Sequence, residues 1–481
     1  MLRLCCFLFG LLSLSSLKAG EYLLSSGVRQ VWEAQLRFDW EKVHGALETV
    51  TIQEPDNLFY AFLEARTLFL KVILHDNPAD LLQFRLRNQE HLEKLESASK
   101  ESAFSLFCLA EFHLQSSFIH ARESEPISAA RALRKAFHYN DRNRERHPDF
   151  TLQLKTQVVL QALASAIPNS YRWMADLAGI SASSRQALQT LQEFRSTLVN
   201  QSTYPFLKPE LHFIEVFIAT QLNENIRAIA VSDDIANHPL VSLSQMLHHQ
   251  KQRNARAVLQ AYQQFRATKA STFPYLFYLQ AEALQNSGRS AASFRYFLLN
   301  SHGNWFRASA LRKLAWEALL LGNPNEYTRR MQQILELEQF PSEEDRQARR
   351  EAQLQRKPLP GLLRSRLLAD GGLYDEALMA AQNDVHQLRD RYDSTEWHYR
   401  RGRALQGLNR GTEAVACFDQ TIALGQKLPE YFAASAALQA GILLKEKNPT
   451  LARNYWRKVS RFPNHPYKKS LDAKAEAFLS L

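Results

Sequence analysis

Tyr275-Leu276-Phe277-Tyr278-Leu279-Gln280-Ala281-Glu282-Ala283-Leu284-Gln285-Asn286-Ser287-Gly288 decides the fold, because Ser309-Ala310-Leu311-Arg312-Lys313-Leu314-Ala315-Trp316-Glu317-Ala318-Leu319-Leu320-Leu321-Gly322 repeats its pattern further on. Ala281 and Ala315 stand 34 positions apart. In the first unit Ala281, Leu284, Gly288 and Phe297 fill the places taken in the second by Ala315, Ala318, Gly322 and Met331. Each unit reads as helix, tight turn and helix, and self-similarity at such a period marks a stacked repeat. Alanine or glycine lets two helix backbones approach, and a large side chain such as Phe297 fills the space beside them.

Two further units match with longer connections. Gly402, Leu405, Ala414 and Phe418 form one set, and Ala440, Leu443, Ala452 and Trp456 the next. Leu368, Gly372, Tyr374 and Ala377 repeat the helix-to-helix turn once more. One helical pair cannot bury both its faces, so stacked neighbours must close the core. The aromatics of the pattern are therefore expected in the core.

Composition agrees with helices on short connections. Only 16 glycines occur in 481 residues, while tight turns and phosphate-cradling loops both lean on glycine. Hydrophobic residues at 45% and charged residues at 22% suit a folded soluble protein. From Gly20 onward, apolar residues recur three and four apart in stretches bounded by turn signals. The one short β-branched run, Thr49-Val50-Thr51-Ile52, precedes the turn sequence Gln53-Glu54-Pro55-Asp56-Asn57 and reads as a helix end.

Residues 1–19 read as a secretory signal, with Arg3 at the positive start, Leu4 to Leu17 as the apolar stretch and Ala19 as a small residue for cleavage. The expected location is accordingly outside the cytoplasm, periplasmic or associated with an outer membrane, or secreted. Cleavage would remove Cys5 and Cys6 and leave Cys108 and Cys417, which is no disulfide framework, so core packing is expected of both. The formal charge of +10 would fall to about +8 without Arg3 and Lys18, which still favours acidic partners.

The N-terminal half is less regular. Trp32, Phe38, Trp40, Val43, Leu47 and Pro55 suggest one degenerate unit, and Ala110 to Phe137 another. The chain breaks around Ile167-Pro168-Asn169-Ser170-Tyr171-Arg172-Trp173, and a second seam follows at Asn200 to Pro205. The division expected is thus 20–205 as degenerate helical repeats and 206–481 as the clearer repeats, without independent domains.

The last 200 or so residues resemble the tetratricopeptide-repeat (TPR) superfamily, and the whole chain after the signal is similar to exported bacterial TPR proteins of unassigned role. The motifs behind this are Phe-Pro-Tyr-Leu-Phe-Tyr-Leu at 273–279, Lys313-Leu314-Ala315-Trp316, the run from Tyr431 to Gln439, and Lys469-Ser470-Leu471-Asp472-Ala473-Lys474-Ala475. Ile167-Pro168 with Tyr171, Trp173, Leu177 and Gly179 is similar to a eukaryotic TPR family associated with mitochondrial outer membranes and lipid handling. The resemblance implies an all-α solenoid of stacked antiparallel helix pairs whose inner face, built by the first helix of each pair, holds a peptide or protein segment. It implies no chemistry. Carried onto this sequence, the inner-face candidates are Tyr275, Tyr278, Glu282 and Asn286, then Arg312 and Trp316, then Tyr399, Arg403 and Gln406. Ser293, Tyr327 and Arg401 depart from the pattern, standing where small residues are common.

No catalytic residue, cofactor or metal site is expected. His248-His249, with His238 and His302 elsewhere, lacks a completing ligand set, and adjacent histidines diverge on a helix, so a solvated face is expected there. Neither the Walker pattern nor a Gly-x-Gly-x-x-Gly run occurs, and no nucleophile elbow or paired-carboxylate motif stands out. Two basic stretches, Arg131 to Arg146 and Arg346 to Arg366, read as solvated surface interleaved with acids such as Glu343, Glu344 and Asp345. The expected function is non-enzymatic binding of a protein partner in the concave groove. The alternative is a lipid or glycan carrier with a basic surface and an apolar cavity near Tyr171 to Ile180. Nucleic acid is not an expected partner.

Overall fold

The computed structural model describes residues 21–97, 102–166, 184–200, 204–221, 230–290 and 292–480. The signal-like residues 1–19 and the break at 167–183 lie outside them, as do residues 201–203 of the seam. Twenty-three α-helices follow one another among the described residues, beside one isolated bridge between Glu21 and Asn57.

The first nine helices are α1 (Ser26–Leu36), α2 (Trp40–Gln53), α3 (Phe59–His75), α4 (Pro78–Glu96), α5 (Ala103–Arg122), α6 (Pro126–Arg146), α7 (Gln153–Ala166), α8 (Ser184–Asn200) and α9 (Lys208–Gln221). Next come α10 (Pro239–Lys251), α11 (Ala255–Ala267), α12 (Pro274–Asn286), α13 (Ser293–Asn300), α14 (Arg307–Leu320), α15 (Pro324–Leu335) and α16 (Glu343–Leu354). The last seven are α17 (Pro360–Asp370), α18 (Tyr374–Gln382), α19 (Arg391–Gly407), α20 (Gly411–Gly425), α21 (Phe432–Leu444), α22 (Pro449–Val459) and α23 (Lys468–Leu479). Thr49 to Ile52 closes α2, so the β-branched run is helical as expected.

Local sequence sets these boundaries. Asn323-Pro324 and Asn448-Pro449 start the second helices of two pairs. Each asparagine side chain accepts an amide of the first turn, and proline loses nothing where no intrahelical donor is needed. Gly288 and Gly322, matched in the repeat, both take positive φ (72° and 77°) just after α12 and α14, a region open to glycine at little cost. At the corresponding place after α19 stands Asn409, also at positive φ.

Packing follows chain order. Helices pack as adjacent pairs, α5 on α6, α14 on α15 and α19 on α20 among them, and the first helices of successive pairs pack on each other, as α1 on α3, α3 on α5 and α19 on α21. Ala281, Ala315, Gly402 and Ala440 lie at the helix contacts expected of small residues: the alanines are fully buried, and a Cβ at Gly402 would run into the ring of Phe418. Phe297, Met331, Phe418 and Trp456 are buried beside them. Tyr327, one of the departures from the pattern, is buried as well.

The two halves differ in how their cores join. Beyond α12 the buried side chains fall into a succession of small clusters, as stacked pairs require. Up to α12 one cluster runs from Val28 to Ala283, across the expected division at 205. Its middle is polar. Glu210 of α9 accepts from Trp32 of α1 (3.2 Å) and from Arg66 of α3 (3.0 Å), and Lys155 of α7 reaches Glu210 at 3.3 Å and Glu111 of α5 at 2.5 Å. Thr156 adds 2.6 Å to Glu111, and Gln35 adds 2.8 Å from Arg66. All these side chains are buried or nearly so. The first helices of the N-terminal half thus turn their inner faces on one another and fill them. Cys108 and Cys417 are free and buried.

Candidate functional site

An open cleft of about 750 Å³ lies where α12, α14 and α17 face α9 and α10. Tyr275, Tyr278, Glu282 and Asn286 project into it from α12, since spacings of three and four place them on one helix face. Arg312 and Trp316, four apart on α14, continue the wall, and Arg366 of α17 and Tyr467 complete that side. Six of the nine residues expected on the inner face therefore meet in one cleft.

Tyr399, Arg403 and Gln406 do not line it. They sit on α19, where Tyr399 and Gln406 join it to the next pair and Arg403 bonds within the helix. The Tyr399 hydroxyl bonds Ser435 at 2.9 Å, Gln406 donates to Gln439 at 2.9 Å, and Arg403 donates to Gln406 at 3.0 Å. Tyr278, although on the cleft wall, is of the same kind: it is 2% exposed and its hydroxyl bonds Ser309 at 2.9 Å. Rings of Tyr275, Phe294, Phe297 and Phe306 surround it at 4.9 to 6.0 Å, and burial holds its hydroxyl pKa well above the ordinary value.

Phe306 is set in place by a cap two helices further on. Ser342 and Asp345 form a reciprocal capping box at the start of α16, and the Asp345 carboxylate also accepts the backbone N–H groups of Phe306 (2.8 Å) and Ser309 (3.0 Å). This carboxylate is completely buried, so the entry of α14 is tied rigidly to that of α16.

The polar groups of the wall are mostly spoken for. Lys313 meets Glu282 at 2.5 Å, and Gln250 donates to the other Glu282 oxygen. The guanidinium of Arg312 lies 4.7 Å from the Trp316 ring centre and that of Arg366 4.6 Å from it. Both arginines approach one oxygen of Glu351, at 3.1 and 3.5 Å, and Gln347 donates to the same oxygen. Burial would raise the Glu351 pKa, but Arg312, Arg366 and Gln347 outweigh it and leave the carboxyl below its usual range. Arg366 is held protonated, burial notwithstanding, by the same carboxylate.

The opposite wall is mixed: Phe213, Val216 and Phe217 from α9 and Leu247 from α10 make an apolar patch, bordered by Thr220, Gln250, Lys251 and Arg253. Sequence reading passed over it because these residues carry an ordinary helical period and nothing in their neighbourhood says which helix they will face. Arg366 was visible only as a member of a basic stretch. Part of that stretch is neutralised: Arg346 and Arg350 pair with Glu343, and Arg356 with Asp390 and Asp393. Beyond Trp316 and Arg366 a second cleft, of about 320 Å³, opens between α16, α19 and the start of α21.

His248 and His249 are half-buried on α10, not on a fully solvated face as expected, and burial lowers the pKa of both. Among the described residues no group of three or more His, Cys, Asp or Glu converges as a metal site, and no helix is long and apolar enough to cross a membrane. The apolar cavity expected near Tyr171 to Ile180 lies outside the described residues. No known protein family matches the chain, and no curated protein matches it either.

Proposed function

We propose that this chain is a non-enzymatic helical-repeat protein of the TPR kind, exported to the cell envelope, which holds a segment of a partner protein in the cleft between α9, α10, α12, α14 and α17. The observation that carries the reading is the convergence of Tyr275, Tyr278, Glu282, Asn286, Arg312 and Trp316 on one open cleft of about 750 Å³, a size that suits a bound ligand group. Its surfaces are those recognition uses: an apolar patch on α9 and α10, aromatic edges and charged groups held in fixed positions. Among the described residues the first helices of the N-terminal half fill their inner faces with the Glu210 network, and that half serves as the base on which the cleft is built.

The test is site-specific photocrosslinking in envelope extract, with the reactive side chain at Asn286 in the cleft or at Met379, which is exposed and away from it. A polypeptide crosslinked from Asn286 and absent from Met379 is expected. Identical products from the two positions, or none from Asn286, would remove the cleft from consideration.

A further inference from the structure

The Arg366 guanidinium is only partly engaged, by a long contact with Glu351. It lies 4.6 Å from the Trp316 ring centre and 3.5 Å from a Glu351 oxygen already taken by Arg312 and Gln347, and it makes no hydrogen bond to another described residue. Its side chain is about a quarter exposed (24%). A guanidinium fixed in orientation by an aromatic face, with its donor fork open, is prepared for a carboxylate or phosphate, which it can grip with two parallel hydrogen bonds. Arg312 beside it is 96% buried in its side chain, directs one nitrogen to Glu351 and leaves its Nε–H without a partner. Two positive groups thus share one internal carboxylate oxygen.

Arg366 and Trp316 line both clefts, the larger one of about 750 Å³ and the smaller of about 320 Å³. An occupant spanning the two must pass over this guanidinium, so it is elongated. On one side it meets Phe213, Phe217 and Leu247 beside Lys251, and on the other Arg312 and Arg366; the lining carboxylates Glu282 and Asp370 are paired with Lys313 and Arg253, and with Glu344 they leave the five lining cations in excess. Alternating apolar and acidic side chains along an extended chain satisfy both walls. We propose that the occupant is an acidic polypeptide segment of a partner protein, with an Asp or Glu carboxylate on Arg366 and neighbouring apolar side chains against α9 and α10. This rests on the reading of the cleft as a binding groove, and adds what the groove selects.

The experiment uses a fluorescein-labelled peptide of alternating leucine and glutamate and a second with glutamine for every glutamate, titrated against the purified full chain by anisotropy. The glutamate peptide is expected to bind at least about tenfold tighter, the worth of one charge-assisted hydrogen-bonded contact. Arg366→Gln should erase that difference, and Arg366→Lys should restore only part of it, because an ammonium lacks the fork. If Arg366→Gln melts early, Asn286→Asp replaces it: a carboxylate at the cleft edge should weaken the glutamate peptide and spare the glutamine one. Equal binding of both peptides overturns the charge selection while crosslinking from Asn286 still supports the groove, so the two readings fail separately. A preference that survives both variants places the acidic contact elsewhere and overturns the inference. Displacement of the peptide by inorganic phosphate, or by phosphatidylglycerol vesicles, at matched anion concentration would assign the site to a small anion or to a lipid surface instead.

Discussion

Tyr278 and Tyr399 occupy corresponding places in two separate helix pairs, three residues before Ala281 and Gly402, and each spends its hydroxyl on a serine of the next first helix, Ser309 and Ser435, at 2.9 Å. Both rings are buried, at 2% and 6% exposed. Residues expected to face a ligand therefore pin neighbouring pairs together. Tyr278→Phe and Tyr399→Phe should each cost about 1 kcal/mol in urea unfolding, the net worth of a neutral hydrogen bond, while truncation to alanine should cost about 3–5 kcal/mol. Equal stability of the phenylalanine variants and the parent would show that the hydroxyls contribute nothing.

Glu210 is the one carboxylate that both Arg66 and Lys155 reach, with Trp32 donating to it as well. Burial raises its pKa, but Lys155, Arg66 and the Trp32 hydrogen bond bring the carboxyl below the usual range. Glu210→Gln would leave the buried Arg66 with no carboxylate, only the Gln35 oxygen, and Lys155 with Glu111 alone, and removing one partner of a buried charge set typically costs about 3–5 kcal/mol. Thermal unfolding should show the loss. Replacing Trp32 by Phe should cost less, since the ring volume is largely kept and only the donor goes.

The acid side of the stability profile follows from three histidines. His113, His212 and His238 are each lowered from 6.5 to about 4, by burial first and then by Lys135 for His113, by His248 and Arg195 for His212, and by Arg37 for His238. Their folded pKa lies below the unfolded one, so the folded state binds fewer protons between those values and stability falls as pH drops from 6.5 towards 4. Protonation also removes the Nδ1 acceptor with which His238 holds the Leu240 amide at the start of α10. Glu64 and Asp393 act lower down. Burial raises both, but His91 and Arg87 bring Glu64, and Arg389 and Arg356 bring Asp393, to about 2, so their contribution is lost only as pH falls from about 4.5 towards 2. The Tm should decline between pH 6.5 and 4.5, and a variant with glutamine at the three histidines should decline less there. A flat parent profile in that window would refute the assignment.

Gly372 joins distant parts of the chain. Its φ is 80°, and a Cβ there would collide with the carbonyl of Arg253, while the neighbouring Gly371 carbonyl accepts the Ala255 amide at 3.1 Å. Gly372→Ala should cost about 1–3 kcal/mol from the backbone conformation, with the collision added. Faster hydrogen exchange at the Ala255 amide, with no change at Leu240, would show that this contact in particular loosens.

The helices and their repeat were legible because they depend on neighbours in sequence. Ala281 and Ala315, Gly288 and Gly322, and the Asn-Pro starts of α15 and α22 state their roles in their own spacing. The cleft was legible on one wall only. The period of α12 and α14 brings Tyr275, Tyr278, Glu282, Asn286, Arg312 and Trp316 to one face, and the same reasoning applied to α19 chose Tyr399, Arg403 and Gln406, which lie away from it.

The sequence by itself determined that this chain is helical, where several of the C-terminal helices turn, and which of their faces are apolar, because hydrophobic period, caps and turn glycines act over a few residues. Only the tertiary structure decided that the first helices of the N-terminal half close on a shared charge network while those of the C-terminal half leave a cleft. That choice rests on contacts such as Trp32 with Glu210 and on the approach of α9 and α10 to α12, between residues far apart in the chain. A helix face buried against a neighbour and one that lines a cleft obey the same period. What separates them is which distant helix packs against each face.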